Sequence, residues 1–182
     1  MQTKIKIATV LALSLLAFPL AAQPPEKSYM FQTVLLLGST EGESDLSGVP
    51  HNVVRALDDV MKFLPFSSYR MIDTSIIRSA SHARGRFAGP SGQQFELEFG
   101  FHQADGKGLF VRGFELTALV PAKQKGLLPE GQNGSAGANH PEGRSEVIAT
   151  SFTVDVGETI VVGTSKLNGS GQAMIVFFTA MP

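Results

Sequence analysis

Arg84-Gly-Arg-Phe-Ala-Gly-Pro-Ser-Gly-Gln-Gln-Phe-Glu-Leu-Glu-Phe-Gly-Phe101 is the stretch on which the fold turns. Phe95, Leu97, Phe99 and Phe101 alternate with Glu96, Glu98, Gly100 and His102, the period-two pattern of a strand with one buried and one wet face. Upstream, Gly89-Pro90-Ser91-Gly92 suits a type I turn with proline at its second position and a left-handed Gly92, the three-residue hairpin loop. That loop sets Phe87 opposite Phe95, Arg86 opposite Glu96 and Arg84 opposite Glu98, so opposite charges share one face and aromatic rings the other. A two-residue loop would set Arg86 against Phe95, which is worse on both faces.

Working outward, the same punctuation by Gly, Pro, Asn and Asp bounds further strands at Tyr69–Arg78, His82–Ala88, Gln94–Gln103, Leu109–Val120, Glu146–Val154, Thr159–Leu167 and Gln172–Met181. Asp105-Gly106 and Asn168-Gly169 are type I′ signals for two more hairpins. Tyr29–Leu37, rich in β-branched and large apolar residues, reads as a strand buried on both faces. One helix is expected, from Pro50 to Leu64. Val53, Val54, Leu57, Val60, Met61 and Leu64 make an apolar stripe, Asp58 and Lys62 an i,i+4 pair, and Pro65 a stop.

The expected fold is therefore α+β: one amphipathic helix packed on a mainly antiparallel, strand-rich sheet that curls or splits in two. Residues 121–144 interrupt it with five Gly, three Pro and almost nothing apolar after Leu128. They read as a long Gly-rich loop, either an element that orders on a partner or a tolerated insertion. The loop is also the expected first site of proteolysis.

The amino terminus carries a different message. Lys4 and Lys6, an apolar run from Ile7 to Leu20 broken at Pro19, and Ala21-Ala22 follow the order of a secretory signal peptide, with cleavage between Ala22 and Gln23. The run is too short for a spanning helix, which takes about 20 apolar residues. The expected layout is a signal peptide at 1–22 and a single strand-rich domain at 23–182. The expected location is the periplasm or the extracellular space.

Composition narrows the partners. The sequence holds no cysteine, which excludes disulfides and a lipobox lipid anchor. Lys4 and Lys6 are two of the 15 basic residues, so the exported portion carries 13 against 16 acidic ones, a formal charge of −3. That mild acidity argues against nucleic acid, whose phosphates need a basic surface. No later run is long enough for an integral membrane helix.

No catalytic, cofactor or metal signature stands out. His51, His82, His102 and His140 have no ligand spacing between them, no GxSxG elbow occurs, and Asp58 and Asp59 diverge by about 100° on a helix. Arg70, Arg78, Arg84, Arg86 and Arg112 are the candidate contacts for an anionic ligand or partner, if they gather on one side of the strands. The competing reading of Arg84 and Arg86 is a ladder of ion pairs to Glu98 and Glu96.

Two stretches carry a resemblance. Ala56-Leu-Asp-Asp-Val-Met-Lys-Phe-Leu-Pro-Phe-Ser-Ser-Tyr-Arg-Met-Ile-Asp73 is similar to the helix-then-strand core of small N-terminal domains in secretins and related outer-membrane proteins. Val154-Asp-Val-Gly-Glu-Thr-Ile-Val-Val-Gly163 and Ala173-Met-Ile-Val-Phe-Phe-Thr179 resemble paired strands near the end of the secretin core. The chain departs from the family in lacking the module's second helix, and it is too short to form the pore. A small family of exported bacterial proteins is the broader description, and no functional residue carries over. The resemblance implies a bacterial envelope protein that assembles with another envelope protein and catalyses nothing. The alternative is an exported enzyme, such as a hydrolase, whose site forms only in three dimensions.

Overall fold

The computed structural model describes residues 27–104, 106–119, 143–167 and 171–182. Among these, β1 (Tyr29–Ser39) is followed by helix α1 (His51–Val60) and then by β2 (Ser68–Ser79), β3 (His82–Ala88), β4 (Gln94–Gln103), β5 (Gly108–Leu119), β6 (Arg144–Asp155), β7 (Thr159–Leu167) and β8 (Gln172–Met181). The strands form two four-stranded sheets in the orders β2-β1-β8-β7 and β3-β4-β5-β6, with every neighbour antiparallel.

The main core lies between the sheets. Phe31 and Leu35 of β1 and Met174, Val176 and Phe178 of β8 meet Phe95, Leu97, Phe99, Leu109, Val111, Phe114 and Leu116 from β4 and β5. A smaller core lies on the other face of the first sheet, where Val53 and Leu57 of α1 cover Val34, Leu36, Tyr69, Ile175 and Phe177. β1 and β8 are thus buried from both sides, which explains their unbroken apolar runs Val34–Leu37 and Ala173–Phe178.

The hairpin that decided the fold has the expected register, with Phe87 opposite Phe95, Arg86 opposite Glu96 and Arg84 opposite Glu98. Pro90–Gly92 forms a 3₁₀ turn, closed by the Gly89 N–H donating to the Gln93 carbonyl at 2.6 Å, with Gly92 at φ +79°. Only glycine enters that conformation without strain.

Several expectations need correcting. The α-helix ends at Val60, and Met61–Phe63 continues as a single 3₁₀ turn. Leu64 precedes Pro65 and is extended, at φ −94° and ψ 143°, as the proline ring requires, so the last turn tightens. Of the six-residue stripe only Val53 and Leu57 are buried, and Met61 is 42 % exposed. Lys62 lies over the Phe63 ring at 5.0 Å and makes no ion pair with Asp58. The β4–β5 hairpin closes with Ala104 N–H on the Gly108 carbonyl at 2.9 Å, so three residues cross it rather than the two of a type I′ turn. Arg144 is not loop but the first residue of β6, paired with Leu119. The rest of the expected loop, up to residue 142, lies outside the described residues, as do 1–26 and the Asn168-Gly169 turn.

One polar contact fixes α1 on its sheet. Asn52 Nδ2 lies 2.8 Å from Thr159 Oγ1, 3.0 Å from Thr179 Oγ1 and 3.3 Å from Gln32 Oε1, its two N–H groups shared among the three acceptors, and so ties the first helical turn to β7, β8 and β1. Asn52→Ala removes the donor facing the Gln32 side-chain carbonyl in a half-buried site and leaves the Thr159 and Thr179 hydroxyls only each other, 2.8 Å apart, and a loss of about 1–2 kcal/mol is expected from urea unfolding.

Candidate functional site

Helix α1 covers the outer face of the first sheet. No described helix covers the outer face of β3-β4-β5-β6, and alternation places charge there. On β3 it presents His82, Arg84 and Arg86, on β4 Glu96 and Glu98, on β5 Glu115 and Thr117, and on β6 Arg144 and Glu146.

Glu96 is the centre of this face and only 3 % exposed. Arginines bury it. Arg84 Nη2 and Arg144 Nη2 each stand 2.6 Å from Oε1, and Arg86 Nε lies 3.5 Å from Oε2, which accepts no hydrogen bond. The hydrogen bond from Arg84, aided by the charge of Arg144, holds the Glu96 carboxyl below its ordinary range, against the opposing effect of burial. Arg84 therefore does not pair with Glu98, which it faces in register, but reaches diagonally to Glu96. Sheet twist brings such diagonal neighbours within reach of a long side chain.

Glu98 is taken by His82, with Nε2 to Oε1 at 3.0 Å, both side chains about half exposed. Beside them Arg112 stands opposite Gly100 across a disrupted stretch of pairing between β4 and β5. Gly113 there has φ +57°, and a Cβ on Gly100 would lie 3.1 Å from Arg112 Nε. The two missing side chains leave an open depression of about 350 Å³ rimmed by His82, Glu98 and Arg112. It has an imidazole oriented by a carboxylate and a guanidinium, but among the described residues no serine, threonine or lysine lines it to act as a nucleophile.

Of the five arginines singled out in the sequence, Arg84 and Arg86 converge on Glu96 and Arg112 lines the neighbouring depression. Arg70 and Arg78 belong to β2 in the other sheet: the Arg70 backbone forms an isolated parallel β-bridge with Asp45, and Arg78 Nε donates to Ser28 Oγ at 3.0 Å. Arg144 was missed because loop composition was carried through to its position. A usable clue was strand length, since β5 spans 12 residues and its edge partner β6 matches it at 12. The burial of Glu96 had no sequence signal at all.

His51 contacts Arg55 at 3.4 Å and the His102 ring lies 5.2 Å from that of Phe110, while His140 is outside the described residues. Among the described residues no three His, Asp or Glu side chains are grouped to hold a metal ion. No described helix is long and apolar enough to cross a membrane, which leaves strand-built membrane proteins unaddressed. Neither a protein-family model nor a curated protein matches the chain.

Proposed function

We propose that this protein is an exported, non-enzymatic binding or assembly module of the bacterial cell envelope, delivered by cleavage after Ala22, and that it meets a protein partner through the outer face of β3–β6. The observation that carries the reading is the sheet face, covered by no described helix, on which Arg84, Arg86 and Arg144 surround Glu96. Strands hold the cluster, and its arginine side chains remain 34–71 % exposed, ready for a partner carboxylate. Arginine is enriched at interfaces for this bidentate geometry.

The test is a pull-down from envelope extract with tagged protein, repeated with the Arg86→Glu/Arg112→Glu variant. The variant is expected to recover at least about tenfold less of the same partner, a difference of about 1.4 kcal/mol. Equal recovery by a variant with an unchanged unfolding midpoint would refute the assignment of this face.

A hydrolase is the second reading, favoured by the meeting of His82, Glu98 and Arg112 at the depression. It requires ester or amide turnover that His82→Ala removes. The binding-module reading expects identical, background turnover from both proteins.

A further inference from the structure

At one end of the sandwich α1 stops short of the sheet it covers. It packs over Val34 and Leu36, but Met30 and its β8 partner Met181 extend past it, and Met30 is 38 % exposed. A cleft of about 610 Å³ opens there, with Met30, Met181 and Val156 as its apolar wall and Lys27, Arg78 and Lys107 around it. Among the described residues no aspartate or glutamate side chain lines it. This is a local reversal of sign in a chain whose exported portion carries a formal −3.

The cations come from three separate parts of the chain. Lys27 precedes β1, Arg78 is the penultimate residue of β2 and Lys107 sits in the β4–β5 turn, so only the tertiary structure brings them together. Arg78 uses Nε on Ser28 Oγ at 3.0 Å and has no other hydrogen bond among the described residues, leaving its two terminal nitrogens for a ligand. The Lys27 ammonium lies 4.9 Å from the centre of the Tyr29 ring, which keeps it beside the opening. Ligand clefts of about 300–1,000 Å³ with an apolar wall and a few convergent polar groups are the usual form of a small-molecule site.

We infer that this cleft binds a free, single-chain anionic amphiphile. Its carboxylate or comparable head group meets Arg78 and Lys107, and its tail lies on Met30, Val156 and Met181. The head is anionic because the guanidinium fork and the two ammonium groups match it and, among the described residues lining the cleft, no carboxylate side chain competes. A single apolar chain fits better than a bilayer because the wall is concave and, of its larger apolar side chains, Tyr29, Val156 and Met181 are half-buried and only Met30 is substantially exposed.

The test is calorimetric titration of the protein with dodecanoate below its micellar concentration, beside dodecanol and dodecyltrimethylammonium. Dodecanoate is expected to bind one to one, at least about tenfold tighter than either control, and added salt should weaken it. Arg78→Ala/Lys107→Ala should lose at least about tenfold in affinity; both side chains are exposed, and an unchanged unfolding midpoint checks the fold. The Arg86→Glu/Arg112→Glu variant should bind dodecanoate like the parent, which separates this site from the sheet face above. Equal affinity for the cationic or neutral amphiphile, an unaffected double alanine variant, or binding only to anionic lipid vesicles would each overturn the inference.

Discussion

Phe178→Ala is expected to destabilise the fold by about 3–5 kcal/mol, read as a lowered urea midpoint at unchanged slope. Phe178 is fully buried and belongs to β8 in the first sheet, but its ring neighbours come mostly from the second. It stands 5.3 Å from Phe99 of β4, 5.7 Å from Phe114 of β5 and 5.5 Å from Phe152 of β6, all edge to face, and stacks 5.5 Å from Phe31 of β1. Truncation removes one ring from four aromatic contacts and opens a cavity at the centre of the sandwich. Rigid strands on both sides limit the collapse that would fill it. Phe63→Ala is the control: that ring is 78 % exposed, and its loss should change stability by no more than about 0.5 kcal/mol. Equal effects at the two positions would mean that the sheets do not pack face to face as described.

The second large effect is expected at Glu96. Glu96→Ala removes the carboxylate shared by Arg84, Arg86 and Arg144 and leaves three like charges together. The expected cost is about 1–3 kcal/mol at neutral pH. It falls below the cost of breaking a fully buried pair because the arginines left behind retain contact with water. The pH dependence has a definite sign. The folded carboxyl titrates below its ordinary 4.5, so the unfolded chain takes up the proton first as pH falls. The stabilisation is fully present above 4.5 and is lost as pH drops through the lower folded value. Urea unfolding from about pH 7 to about pH 3 should show that decline in the parent and a shallower one in Glu96→Gln. Parallel curves would show that the carboxyl is not held low by its arginines.

Glu96 also marks how far the sequence could be read. Alternation and turn chemistry are local, and they sufficed for the β3–β4 register, because a left-handed Gly92 and Pro90 admit few loop geometries and one-residue slips would expose Phe95. Long apolar runs correctly identified β1 as a strand covered on both sides, and a short stripe with Pro65 behind it identified α1. Helix length was misjudged because periodicity continued past the point where Leu64, held extended by Pro65, ended the α-helix.

Which strands neighbour each other was another matter. The adjacency of β1 and β8, from opposite ends of the described chain, depends on closing a sheet across more than a hundred intervening residues, and no local pattern encodes it. Glu96 has the sequence context of a solvated strand residue. It is buried because Arg84 leans across the twist and Arg144 arrives from β6. The same holds for Lys27, Arg78 and Lys107, scattered along the chain and gathered at one cleft. Backbone periodicity and turn geometry act over a few residues and are written in the sequence, whereas charges meeting across strands depend on long-range pairing, and only the tertiary structure decides them.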